Sequence, residues 1–202
     1  MFKFPLRIPE NRCVILTQGF RSTELAEFYR SKGLNYPVHT AIDVICGTSL
    51  ETYGTPFVCP FPWAELVAAD EAAYPGAKGS RVQVKYEEPG GDTWVIGGLH
   101  FSDLEDHPLG YRFAEGETIA YLGNSGAVYP EPVPEKAHQG AHLHFTVVLN
   151  GTIVDPVLYF DLLTPFRGED TGFDKDVPAL QWAIWKVREQ VALLVARFKG
   201  GV

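Results

Sequence analysis

Between Val38 and about Val154 the chain is a series of short apolar runs separated by Gly, Pro and Asn. "FVCP", "ELVAA", "RVQVKY", "TWVIGGL", "TIAYLG" and "HLHFTVVL" are each strand-like in length and rich in β-branched or aromatic residues. Their spacing predicts an antiparallel all-β sandwich or barrel-like unit. Asn150-Gly151, followed by "TIV", reads as a hairpin turn. Upstream, "RCVILTQGF" is an apolar run ended by Gly19. "STELAEFYRSKG" has the signals of a short helix, with Ser22 or Thr23 as cap, Leu25, Phe28 and Tyr29 as a stripe, and Gly33 as stop. Residues 127–140, "AVYPEPVPEKAHQG", are too proline-rich for a central strand and predict a long loop, either a surface excursion or a cleft wall.

The pattern changes after "VDPVLYF". A charged linker over 166–176 leads into a helix over 177–199, with Asp176 as cap, Pro178 in the first turn and Gly200 at the end. Leu180, Ile184, Val187, Val191, Leu194 and Phe198 recur at helical spacing. Lys186, Arg188, Glu189 and Arg197 interrupt the run, so it does not read as a transmembrane span. Its stripe packs back on the β domain, or else serves self-association or a partner. The organisation expected is therefore a β domain over 1–165, the linker, and an amphipathic helix.

A chain of 202 residues, 46% hydrophobic and 13% aromatic, suffices for one packed core. A net charge of −8 without any basic block disfavours nucleic acid and anionic membranes. Cys13, Cys46 and Cys59 form no C-x-x-C pair, so a metal here would rely on histidine and carboxylate. The opening "MFKFPLRIPENRC" has no apolar core and cleavage site of the signal-peptide kind.

Candidate chemistry lies in the histidines. In "GAHLHF", His142 and His144 point to one face of a strand while Leu143 and Phe145 point to the other. Solvated side chains would give the same pattern, but so would a metal and a base held side by side. Upstream, "HTAID" places His39 four residues before Asp43. As straight strand, this spacing would hold their Cα atoms roughly 13 Å apart, so a shared metal predicts irregular backbone between them. Two histidines and an aspartate make a three-ligand zinc set with a fourth position open, as in catalytic zinc sites. In "WVIGGLHFSDL", His100 closes an apolar strand at a Gly-Gly kink. Beside a metal it becomes a candidate to hold a water or polarise a carbonyl. His107 belongs to no motif and reads as solvated; His138, in the proline-rich loop, is a candidate for substrate contact.

In order along the chain, "HTAIDVICGTSLETYGTPFVCPF", "GGLHFSDL", "GETIAYLGNSG", "GAHLHF" and "VDPVLYF" resemble the lysostaphin-type (LytM-like) zinc endopeptidases, which hydrolyse peptidoglycan peptides. The resemblance covers about Gln18 to Phe160. It implies a compact antiparallel β-sheet with an open groove, of the duplicated-hybrid-motif type, and one zinc ion per chain. It implies His39, Asp43 and His144 as zinc ligands, and His142 and His100 as catalytic groups. Ala41 stands where the family usually has glycine, Thr146 stands where an acidic residue often follows, and the 127–140 insertion is long. The function implied is hydrolysis of cell-wall cross-links, endolysin-like, by an enzyme that reaches the wall after lysis, in a virion or by non-classical export. The alternative is a non-catalytic module of the same fold that binds a partner or activates another hydrolase. A carboxypeptidase of the D-Ala-D-Ala type fits less well, because it uses a longer His-to-Asp spacing.

Overall fold

Alternation begins at the first residues. Phe4, Leu6 and Ile8 are fully buried along β1 (Phe2–Pro9), while Lys3 is exposed. The computed structural model describes residues 1–23, 27, 30, 31, 38–71 and 79–168. The predicted helix near residues 22–33 falls mostly outside this set, and the helix over 177–199 wholly so. The predicted linker overlaps it only at 166–168, which are strand.

The remaining strands are β2 (Val14–Gln18), β3 (Ile42–Cys46), β4 (Pro56–Val58), β5 (Trp63–Asp70) and β6 (Ser80–Glu87), then β7 (Thr93–Leu104), β8 (Arg112–Ala114) and β9 (Thr118–Leu122). After the proline-rich loop come β10 (Leu143–Leu149), β11 (Thr152–Val154) and β12 (Phe160–Gly168). A short helix, α1 (Ser49–Thr52), lies between β3 and β4. The strands form one sheet, nearly closed into a barrel, in the order β12-β1-β4-β9-β7-β10-β3-β2. β5, β6, β8 and β11 branch from that path. Pairing along it is antiparallel except between β1 and β12, which run parallel. Asn150 and Gly151 both take positive φ, the geometry a two-residue hairpin between β10 and β11 requires.

The core is largely aromatic. Phe4, Phe57, Phe101, Phe145 and Phe160 are all essentially buried. Phe145 meets Phe4 and Phe160 edge-to-face at centroid distances of 5.4 and 5.3 Å. Phe145→Ala would remove the ring on which these contacts converge, at a cost of roughly 3–5 kcal/mol. The same ring fixes the facing of β10, because it points inward while His144 beside it points outward.

β7 is the pivot of the sheet. Its first half pairs with β10, from Trp94 opposite Leu149 to Leu99 opposite His144. Its second half pairs with β9, beginning at Phe101 opposite Leu122. His100 stands at the exchange and is skipped in the register with β6, where Ser80 faces Phe101 and Arg81 faces Leu99. The strand therefore does not close at His100, as its sequence suggests; it bulges there and continues to Leu104. β9 and β10 meet end to end across this bulge, where Gly123 bridges to His142.

Candidate metal centre

β3 and β10 lie side by side, and Asp43 stands directly opposite His144. Ile42, Val44 and Cys46 enter the core, whereas Asp43 and Ile45 line a cavity of about 510 Å³. His142 and His144 line the same cavity. His39 precedes β3, separated from it by a bend at Ala41 rather than by straight strand, as a shared metal at this spacing requires. The bend brings His39 Nε2 to 3.2 Å from Asp43 Oδ1.

His39 Nε2, His144 Nδ1 and Asp43 Oδ1 form a nearly equilateral triangle. Its edges are 3.2 Å between the histidines, 3.2 Å from His39 to Asp43 and 3.0 Å from His144 to Asp43. Donor atoms bound about 2.0–2.1 Å from a tetrahedral zinc lie roughly 3.3 Å apart, so the triangle has the right size for that ion. The donor set of two imidazoles and one carboxylate fits zinc as well. His39 Nδ1 donates to the Gly19 carbonyl at 3.2 Å, so that in the neutral ring the Nε2 lone pair faces the triangle.

The electrostatics agree. Burial pushes the Asp43 carboxyl up, but hydrogen bonds from His144 and His39 and the charges of His142 and His144 outweigh it, and the carboxyl is held below its usual range. Burial disfavours the cationic form of His39, yet its hydrogen bond to Asp43, the Asp43 charge and the Gly19 carbonyl together raise its pKa. A cation binding here displaces that proton, so affinity falls as pH falls.

The other two histidines are held differently. His142 Nδ1 lies 2.8 Å from the Gly140 carbonyl, and His100 Nδ1 lies 2.8 Å from the Ser125 carbonyl. A carbonyl only accepts, so in both rings Nδ1 bears the hydrogen, and in the neutral ring Nε2 is the acceptor. His142 Nε2 sits 3.9 Å from Asp43 Oδ1. The His100 ring lies 4.6 Å from that of His142, centroid to centroid. Burial, then the nearby His142 charge, lowers the His100 pKa to about 4, so it is neutral at pH 7. Its backbone φ of 73° is in the left-handed region, which costs a non-glycine residue about 1–2 kcal/mol.

Asp43, His100, His142 and His144 thus line one cavity, and His39 lies behind Asp43 and His144. His138 does not line it: exposed, it stacks on Tyr53 at 3.8 Å. His107 is half-buried and stacks on Tyr111 at 3.7 Å, rather than being simply solvated. The proline-rich loop is a cleft wall, contributing Ala127, Val128 and Tyr129. Sequence reasoning missed Thr17, Gln18 and Ser49 on the facing wall, and also the carbonyls of Gly19, Ser125 and Gly140. Backbone acceptors leave no signature in residue type.

No family model and no curated protein matches the chain. Solved structures do. A zinc-containing peptidase of Vibrio cholerae matches with a TM-score of 0.51 at 18% identity, over 76% of this chain and 38% of that one. A protein of Pseudomonas aeruginosa bearing the name peptidase M23 matches with a TM-score of 0.50 at 19% identity, over 82% and 51%. A Ruminococcus gnavus protein bearing the name glycyl-glycine endopeptidase lytM matches with a TM-score of 0.50 at 16% identity, over 82% and 62%. The chain therefore spans between 38% and 62% of the length of these three proteins. At such identities the likeness is one of architecture, and the architecture of this chain is that of the M23 peptidases.

Proposed function

We propose that this chain is a zinc-dependent endopeptidase that hydrolyses peptide cross-links of bacterial peptidoglycan. One observation carries the reading: three donor atoms spaced for zinc, with two further histidines whose acceptor nitrogens are set by backbone carbonyls. A zinc ion held by His39, Asp43 and His144 would polarise the scissile carbonyl and acidify water toward a pKa of ~7. A peptide lies in the groove between the 127–129 wall and the Thr17–Gln18 edge. His142, with Nε2 as acceptor, takes the proton of the attacking water and returns it to the leaving amine. His100 is neutral and also presents an acceptor, so its role is to orient that water rather than to donate to an oxyanion. The names of the structural neighbours support peptidase chemistry on peptide substrates.

Purified walls of several cross-link types, digested with and without a chelator, test the reading. New amino termini found by mass spectrometry, lost on chelation and restored by zinc, are the expected result. Should the zinc-loaded protein cut none of them, the chain is a binding module of the same fold.

A further inference from the structure

The two histidines outside the ligand triangle are tied to one short turn. Gly123–Gly126 links the end of β9 to the proline-rich loop, and it touches both rings' supports. Ser125 forms a two-way clamp on His100: its N–H donates to the His100 carbonyl at 3.4 Å, and its carbonyl accepts from His100 Nδ1 at 2.8 Å. Ser125 Oγ accepts from the Ser80 N–H at 2.8 Å, which anchors the clamp to the start of β6. Gly79 lies behind it with φ of +92°; a Cβ there would stand 2.5 Å from the Ser125 carbonyl oxygen and 3.0 Å from His100 Nδ1. The left-handed backbone of His100 brings its ring onto this carbonyl.

The other arm runs through Asn124. Its Nδ2 donates to the carbonyls of Ala137 and Gln139, at 2.8 and 2.9 Å, and so closes the base of the long loop. The next carbonyl along the chain, that of Gly140, accepts from His142 Nδ1. The His142 N–H donates back to Gly123 at 3.3 Å. Thus one turn braces two acceptors from opposite sides: Ser125 directly for His100, and Asn124 by way of the loop base for His142.

We propose that Asn124 and Ser125 are positioning residues which set the tautomer of His142 and His100 independently, so that both rings offer Nε2 to the groove. This deepens the peptidase reading and rests on it for its kinetic part alone. The carboxamide of Asn124 is specifically required, because two carbonyls need a two-hydrogen donor; a carboxylate of the same shape repels both.

Two substitutions in the full chain, loaded with zinc, separate the arms. Asn124→Asp removes the donors, and Gly79→Ala displaces the Ser125 carbonyl. Long-range proton–nitrogen NMR of the labelled imidazoles reads the tautomers, with peaks assigned by single His substitutions. In Asn124→Asp the His142 ring should lose its Nδ1-protonated signature while His100 keeps its own; in Gly79→Ala the outcome should be reversed. On a soluble peptide each variant should lower kcat by about tenfold or more, with KM within about twofold. Unchanged tautomers in a folded variant, or both rings changing together, overturn the proposal. If one variant does not fold, the other decides by the same criterion. If the wild type cleaves nothing, the peptidase reading fails while the tautomer measurement still decides the positioning.

Discussion

The triangle of His39, Asp43 and His144 and the pair of His100 and His142 are neighbours, four of the five lining one cavity, but they are built by different means. In the triangle, side chains chiefly hold side chains: His39, Asp43 and His144 sit 3.0–3.2 Å from one another, β3 pairs with β10 in a register that sets Asp43 opposite His144, and a backbone carbonyl, that of Gly19, orients His39 alone. In the pair, backbone holds side chains: the carbonyls of Ser125 and Gly140 fix His100 and His142. A site built from side chains depends on residue identity and fails when one identity changes. A site built on carbonyls fails when the turn that provides them is displaced.

The largest effect should come from the triangle. His39→Ala, Asp43→Ala and His144→Ala should each abolish stoichiometric zinc and reduce cleavage to background, since three protein ligands are needed for such a site. Metal analysis of the purified variants checks this. A variant with full zinc would remove that residue from the ligand set. The pair should respond differently. His142→Ala and His100→Ala should keep zinc and fold, with kcat lowered by about 10²–10⁴. A near wild-type rate in either would show that the ring serves only to fill space.

The contrast also explains how much of the molecule is legible in its sequence. His39, Asp43 and the H-x-H strand are readable because residue type and period carry their geometry, and the Asn150-Gly151 hairpin is readable for the same reason. The alternation of Leu143, Phe145 and Val147 against His144 is enough by itself to give the facing of β10. The bulge at His100 is not readable, because it arises where β7 exchanges β10 for β9, a tertiary event with no local pattern. Nor is the parallel pairing of β1 with β12, which joins segments over 150 residues apart in register. "FKFPLRIP" alternates openly, yet nothing in it names its partner. Residues 160–168 read as the end of a domain and the start of a linker, but they form a strand because β1 offers an edge.

pH offers a smaller test, centred on His100. Burial, aided by the His142 charge, depresses the folded-state pKa of His100 to about 4 from the ordinary 6.5. Between those values the unfolded chain binds a proton at this site and the folded chain does not. Stability therefore declines as pH falls from about 6.5 to about 4, and levels off below, by no more than roughly 3 kcal/mol for this group. Asp43 acts lower on the scale: its depressed pKa stabilises the fold above its ordinary 3.8, and that contribution is lost as pH falls further. Denaturant midpoints of wild type and His100→Gln at pH 7 and pH 4.5 isolate the first effect. The variant should show the shallower decline, and parallel curves would mean that His100 titrates normally.

The smallest effect should come from His138, in the loop that forms the cleft wall. His138 lies in the same loop that contributes Ala127, Val128 and Tyr129 to the cavity, and it is only four residues from His142. Yet it is exposed, and its ring stacks face-to-face on Tyr53, just beyond α1, outside the cavity. Proximity in sequence does not make it a member of either group: it has neither the side-chain partners of the triangle nor the carbonyl clamp of the pair. Its stack braces the loop against the α1 side, a contact worth about 0.5–1.5 kcal/mol by analogy with other aromatic pairs. His138→Ala should therefore keep zinc, leave kcat within about twofold, and lower the melting temperature by a few degrees at most. Any change in KM should be modest, because the wall loses a brace and not a contact with substrate. A tenfold loss of kcat with zinc retained would place His138 at the reacting atoms, and the division between side-chain-held and carbonyl-held groups would no longer describe the site.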